Sequence, residues 1–232
     1  MLTTPSCPAT RHPARLEALI AVLVCAVLVF AVFAPRRIEA QQFSGVMVDS
    51  HGAESARTPF YVGTDRVRWV TARGDSVTGA VILDFRRRTL TELDDQTEQY
   101  FTPTPDDPAS ELADLFYIMR PADIHDPCRG WNAAVMTDKS EPPHFACQSL
   151  GADTVNGRAA DKWQLTYKRT GKVGYAWIDP HLHYLVKMQD PAAQTTMQVR
   201  DVKEGPQPLT LFTIPTGYTK MDPPAPPRPM HP

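Results

Sequence analysis

Gly74-Asp75-Ser76-Val77 places a serine behind an acid and a glycine, the make-up of a hydrolase nucleophile turn. A serine hydroxyl attacks only with a base beside it and donors around the developing oxyanion. No histidine in the chain has an aspartate three residues before it, and Gly-x-Ser-x-Gly is absent. The block also falls where a hairpin has to turn, so turn chemistry accounts for Ser76 and for the Arg73-Gly74-Asp75 tripeptide. His181-Leu182-His183 would set two imidazoles on one strand face, a geometry that binds metal. No third ligand lies nearby, and the preceding Asp179-Pro180 marks the tip of a hairpin. His125-x2-Cys128 and His144-x2-Cys147 have the spacing of a Cys2His2 site. Gly171-Lys172-Val173-Gly174 is a turn and no phosphate loop. The sequence thus assembles no catalytic set, no cofactor motif and no metal site beyond these candidates.

What surrounds the cysteines decides between metal and disulfide. Ala18 to Ala34 is an uncharged apolar run, preceded by Arg11 and Arg15 and followed by Arg36 and Arg37. It fits a signal peptide cleaved after Ile38-x-Ala40, and it is also just long enough to span a bilayer as a retained anchor. Either way residues 1–40 are expected to send the remainder to the periplasm or cell envelope. Cys7 and Cys25 belong to that leader. Cys128 and Cys147 are left as an even pair in an exported protein, and a disulfide is the expectation. It would close a loop of about 20 residues and contribute about 3 kcal/mol in the chain-entropy account.

The 232 residues suit one domain with flanking segments, here 1–40, 41–221 and a Pro-rich tail, 222–232. A net charge of −2 with no basic face argues against a nucleic-acid partner. Arg86-Arg87-Arg88 reads as a solvated turn. Short alternating segments around Val46, Thr58–Val62, Val67–Thr71, Val77–Phe85, Thr89–Leu93 and Gln99–Thr102, divided by Gly and Asp turns, predict an antiparallel meander. Asp107-Pro108 opens a helix whose stripe is Leu112, Leu115, Phe116 and Met119. Residues 121–150, with Pro121, Pro127, Pro142 and Pro143, read as irregular. From 153 to 190, Trp163-x-Leu165-x-Tyr167, Val173-x-Tyr175-x-Trp177 and Tyr184-x-Val186-x-Met188 predict three strands sharing one apolar, aromatic face. Thr195–Val202 continues as a strand, and Leu209–Ile214 with Tyr218 docks on the sheet.

Two passages carry a resemblance. One is residues 61–101, YVGTDRVRWVTARGDSVTGAVILDFRRRTLTELDDQTEQYF. The other is residues 154–221, with Gly157 in its turn, Trp177-Ile178-Asp179, and the closing Leu211-Phe212…Pro215…Gly217-Tyr218. They resemble exported bacterial proteins of unknown function related to the LolA/LppX-like lipoprotein carriers and the periplasmic stress sensor RseB. The resemblance implies a mainly β (α+β) fold, a curved antiparallel half-barrel with one or two helices lidding its concave face. It further implies an apolar hollow for a lipid, an acyl chain or a lipidated partner, and no catalytic residues. The expected lining is Val67, Trp69, Leu83, Trp163, Leu165, Tyr175 and Trp177, with Phe116 and Met119 on the lid. Each of these also fits a packed core. The alternatives are an envelope sensor or interaction module with a closed core, and a serine hydrolase using Ser76.

Overall fold

The computed structural model describes residues 42–73, 76–103, 116–135 and 143–221. The predicted 108–119 helix falls largely on residues 104–115, and the leader, the Gly74-Asp75 turn and the tail are likewise outside the described residues. Strands β1 (Phe43–His51), β2 (Glu54–Val62), β3 (Arg66–Arg73), β4 (Ser76–Asp84), β5 (Thr89–Asp94) and β6 (Gln99–Phe101) form a first meander. A 3-10 turn (Pro121–Asp123) and helix α1 (Pro127–Val135) follow. The second meander is β7 (Phe145–Val155), β8 (Arg158–Tyr167), β9 (Val173–Asp179), β10 (Tyr184–Asp190) and β11 (Thr195–Glu204). A last 3-10 segment (Leu209–Phe212) leads to the short β12 (Thr219–Lys220).

All of them join one 12-stranded open, curved sheet in the order β12-β6-β5-β4-β3-β2-β1-β11-β10-β9-β8-β7. Every pairing is antiparallel except β12 with β6. The seam between the meanders is the long β1–β11 ladder, from Phe43↔Glu204 to His51↔Thr195. It ties the two ends of the described chain into one element.

The hairpins repeat one device. Asp84, Asp94, Asp179 and Asp190 each end a strand, and in each the Oδ1 accepts backbone N–H groups of the turn that follows. The donors are Arg87 (2.9 Å), Gln96 and Thr97 (2.8 and 3.2 Å), His181 and Leu182 (2.8 and 3.0 Å), and Ala192 and Ala193 (2.9 and 3.1 Å). Four residues after each Asp comes a left-handed residue: Arg88, Glu98, His183 and Gln194, with φ between 50° and 55° in every case (54°, 51°, 55°, 52°). The carboxylate satisfies turn donors that would otherwise face water, which is why aspartate recurs there. The β7–β8 hairpin turns instead at Asn156-Gly157, φ 50° and 80°, the pair that a two-residue turn with positive φ at both positions favours.

The main core lies on the inner face. Phe43, Phe60, Val62, Val67, Ile178, Leu185 and Tyr184 are fully buried there together with Trp131 of α1. A second cluster fills the outer face of the first meander, where Leu211, Phe212 and Tyr218 dock on Ala80, Ile82, Leu93, Tyr61 and Tyr100. The Tyr218 hydroxyl donates to Asp95 Oδ1 at 2.6 Å, and that bond, with burial and the acidic neighbours, pushes its pKa up to about 12. The docking expected of Leu209–Ile214 and Tyr218 is therefore observed for Leu211, Phe212 and Tyr218, on the face away from the main core, while Leu209 and Ile214 stay exposed. Residues 121–150 are more regular than expected: they contain α1 and most of β7, the longest strand.

Candidate functional site: the inner face and its cover

Side chains that pair across neighbouring strands share a face. Following the registers, Phe60, Trp69 and Val81 form one row and Val62, Val67, Leu83 and Leu90 the next. In the second meander Trp163, Ala176, Met188 and Met197 form a row, with Leu165 and Gly174 beside it. These belong to the inner face. Its cover includes residues 116–135. Phe116 stacks on Trp69 (ring centroids 4.9 Å apart) and on Phe60 (6.2 Å), and the Met119 backbone N–H donates to the His183 carbonyl at 3.1 Å.

The cover is fastened at three points. Asp123, fully buried, receives Arg120 Nε and Arg129 Nε at 2.8 Å each. Burial opposes its ionisation, but the hydrogen bonds and charges of the two guanidinium groups outweigh it and hold its carboxyl below the usual carboxylate range. Asn132 then brackets the outer edge of β7, donating to the Phe145 carbonyl (3.0 Å) and accepting the Phe145 N–H (2.9 Å). Cys128 and Cys147 form a disulfide, as expected. Both sulfurs are thus committed, and the Cys2His2 alternative falls.

The candidate lining separates into three groups. Val67, Leu83, Leu165, Phe116 and Met119 lie in the main core, each no more than 5% exposed. Trp69 and Trp163 pack against the same core but stay half-buried, as do Tyr167 and Met188. Tyr175 and Trp177 do not share a face with Trp163. Trp177 pairs with Lys162 and Lys187, while Trp163 pairs with Ala176. The aromatic block thus has aromatics on both faces, because the β8–β9 register is offset by one residue from the alignment a single greasy face requires.

Among the described residues, three buried side-chain polar atoms have no hydrogen-bond partner: Trp163 Nε1, His183 Nδ1 and the Tyr184 hydroxyl. Complete burial pushes the Tyr184 phenol well above its ordinary pKa, and burial lowers that of His183. Sequence reasoning overlooked Tyr184 as a polar group, reading it only as part of an apolar alternation. Its neighbours are Phe43 (5.5 Å) and Phe60 (5.8 Å), so its ring, not its hydroxyl, explains its place.

The residues singled out for chemistry are placed otherwise. His181 and His183 sit in the β9–β10 turn and not on one strand face: His181 is exposed, with Nε2 2.9 Å from Glu204, and His183 is buried. His183 is itself the left-handed residue of that turn, with φ 55°. Arg158 joins Asp179 (2.6 Å) and Glu204 (2.9 Å), so this polar cluster fastens the turn to β8 and β11. Ser76 is exposed at the start of β4. Among the described residues no group of three or more His, Cys, Asp or Glu could hold a metal, and no helix is long and apolar enough to cross a membrane.

No family model and no curated protein matches the chain. Solved structures do. An uncharacterized conserved protein from Thermus thermophilus is 9% identical with a TM-score of 0.48, over 80% of this chain and 93% of that one. MucB in the Pseudomonas aeruginosa MucA/MucB complex is 14% identical with a TM-score of 0.41, over 74% of this chain and 54% of that one, so the match spans about half of MucB. A LolA superfamily protein from Nitrosomonas europaea is 9% identical with a TM-score of 0.31, over 75% and 90%. The neighbours thus include a LolA superfamily protein and MucB, each at a TM-score below 0.5.

Proposed function

We propose that this chain is an exported, non-catalytic binding protein that holds a lipid, an acyl chain or a lipidated partner against the inner face of its second meander. The observation that carries the reading is the row Trp163–Ala176–Met188–Met197. Its small central residue lies between two large apolar side chains that remain half-buried, although they are continuous with the buried core. Methionine adapts its shape to irregular apolar partners, and Met47, Met188, Met197 and Met119 all border this core. Covering such a surface with hydrocarbon gains about 25 cal/mol per Å2. The Trp163 Nε1–H, buried with no acceptor among the described residues, adds a donor for a carbonyl oxygen of the ligand.

Native mass spectrometry of the purified protein mixed with an envelope lipid extract tests this. Bound, exchangeable lipid is expected. Met188→Glu should reduce it about tenfold by setting a charge in the apolar row, and Leu209→Ala, an exposed apolar residue outside this row, should leave it unchanged. Absence of bound lipid in the wild-type protein would sink the reading.

One observation favours a second reading, a closed-core interaction module. Phe43, Phe60, Tyr184, Ile178 and Trp131 are 0% exposed, so the centre of the inner face is filled by the protein itself. A stable protein partner recovered from membranes without any lipid would select it.

A further inference from the structure

The outer face of the second meander carries a basic site on an acidic chain. Trp177 stands in a cross-strand row between Lys162 on β8 and Lys187 on β10. The Lys162 ammonium lies 4.9 Å from its ring centroid and the Lys187 ammonium 4.3 Å. Lys162 also lies 5.2 Å from the Tyr175 ring. The indole is 3% exposed, so it is a platform beneath the lysines and no contact residue itself. Its Nε1–H is fixed by Asp153 Oδ2 at 2.8 Å. Asp153 is the carboxylate beside both lysines, and among the described residues neither lysine has an ion pair within 4 Å. Cation–π attraction holds each ammonium against the ring. The 4.9 and 4.3 Å distances put the ammonium groups at most about 9 Å apart.

The rest of this face fits the same kind of partner. The next row is Gln148, Gln164, Tyr175, Gln189 and Thr196, amides and a phenol. Arg200 is exposed on the same face one strand further on, and Val173, 37% exposed, gives an apolar contact at the strand end. On the first meander the outer face is covered by Leu211, Phe212 and Tyr218; among the described residues nothing comparable covers the second. Spaced cations over a broad, slightly apolar sheet face, without a pocket, match an extended anionic surface. We propose that the Lys162–Trp177–Lys187 row docks this protein on the headgroups of an anionic phospholipid bilayer, Lys and Arg each strengthening such attraction.

Lysine footprinting of the full chain tests it, because it reads the face and not mere attachment. The protein is acetylated free, on phosphatidylcholine vesicles, and on vesicles with about a quarter phosphatidylglycerol. On the anionic vesicles the labelling of Lys162 and Lys187 is expected to slow about fivefold or more. Lys168 and Lys172, exposed in the β8–β9 turn, should change little, and neutral vesicles should protect none of the four. The preference for anionic over neutral vesicles should fall about 10- to 30-fold in Lys162→Gln/Lys187→Gln. It should survive in Lys162→Arg/Lys187→Arg and in Lys168→Gln/Lys172→Gln. Equal protection of all four lysines, no protection on anionic vesicles, or equal loss in the two glutamine doubles would overturn the proposal.

Discussion

Gly79 shows how a single position can fix a sheet. A Cβ built there would stand 1.8 Å from the Leu93 carbonyl oxygen, a distance no side chain tolerates, so β4 and β5 approach each other only because this residue lacks one. Gly79→Ala should therefore separate the ladder or fail to fold; if it folds, a loss of about 3 kcal/mol in denaturant unfolding is expected. Tyr184 makes the opposite case. Its hydroxyl is buried with no partner among the described residues. Tyr184→Phe keeps the ring against Phe43 and Phe60 while removing a desolvated polar group, so stability should stay level or rise by about 1 kcal/mol. A clear loss in the same unfolding measurement would mean that the hydroxyl has an acceptor in solution.

At the scale of elements, the cover depends on a charge. Asp123 is ionised in the folded protein with its carboxyl below the ordinary value of 3.8, which sets the sign of its pH dependence. Its contribution is complete above that ordinary value and is lost as pH falls through the lower folded-state value. Asp123→Asn should cost about 2 kcal/mol at pH 7, discounted because both arginines are half exposed. The difference between variant and wild type should shrink toward zero as the solution becomes acidic enough to protonate Asp123, followed by thermal unfolding across pH. This cover was also the least legible part of the sequence. In Pro127–Val135, α1 includes both a proline and a glycine and has no long apolar stripe; it is held by nearby Asp123, and by Asn132 on Phe145 and the disulfide, contacts made 13 and 19 residues away. From Gln148 to Thr154, β7 is exposed throughout, so no alternation betrays a strand. The hairpins were legible, because their Asp and Gly turns act locally. Faces were legible only within one strand: alternation says that Trp163 and Leu165 agree, but the turn after Tyr167 decides whether Trp177 or Ala176 lies opposite Trp163.

At the scale of the molecule, the β1–β11 seam determines whether the two meanders are one unit or two. Each meander is a run of local hairpins and would nucleate quickly alone. Yet β1, at the start, finds its second partner only after β11 has formed, so the seam is the contact of greatest sequence separation in the sheet. It is also tightly built: a Cβ at Gly45 would lie 2.8 Å from the Arg200 carbonyl oxygen and 3.0 Å from Val199. The main core crosses this seam, with Phe43 and Phe60 of the first meander packed on Tyr184 of the second. Neither half can bury those rings without the other. Unfolding in urea should therefore be a single transition, with far-UV circular dichroism and tryptophan fluorescence giving the same midpoint. Gly45→Val should move both midpoints together to lower urea. If fluorescence and dichroism separated in the wild type, or if Gly45→Val split one transition into two, the meanders would be independent modules, and a site confined to the second meander would no longer require the first.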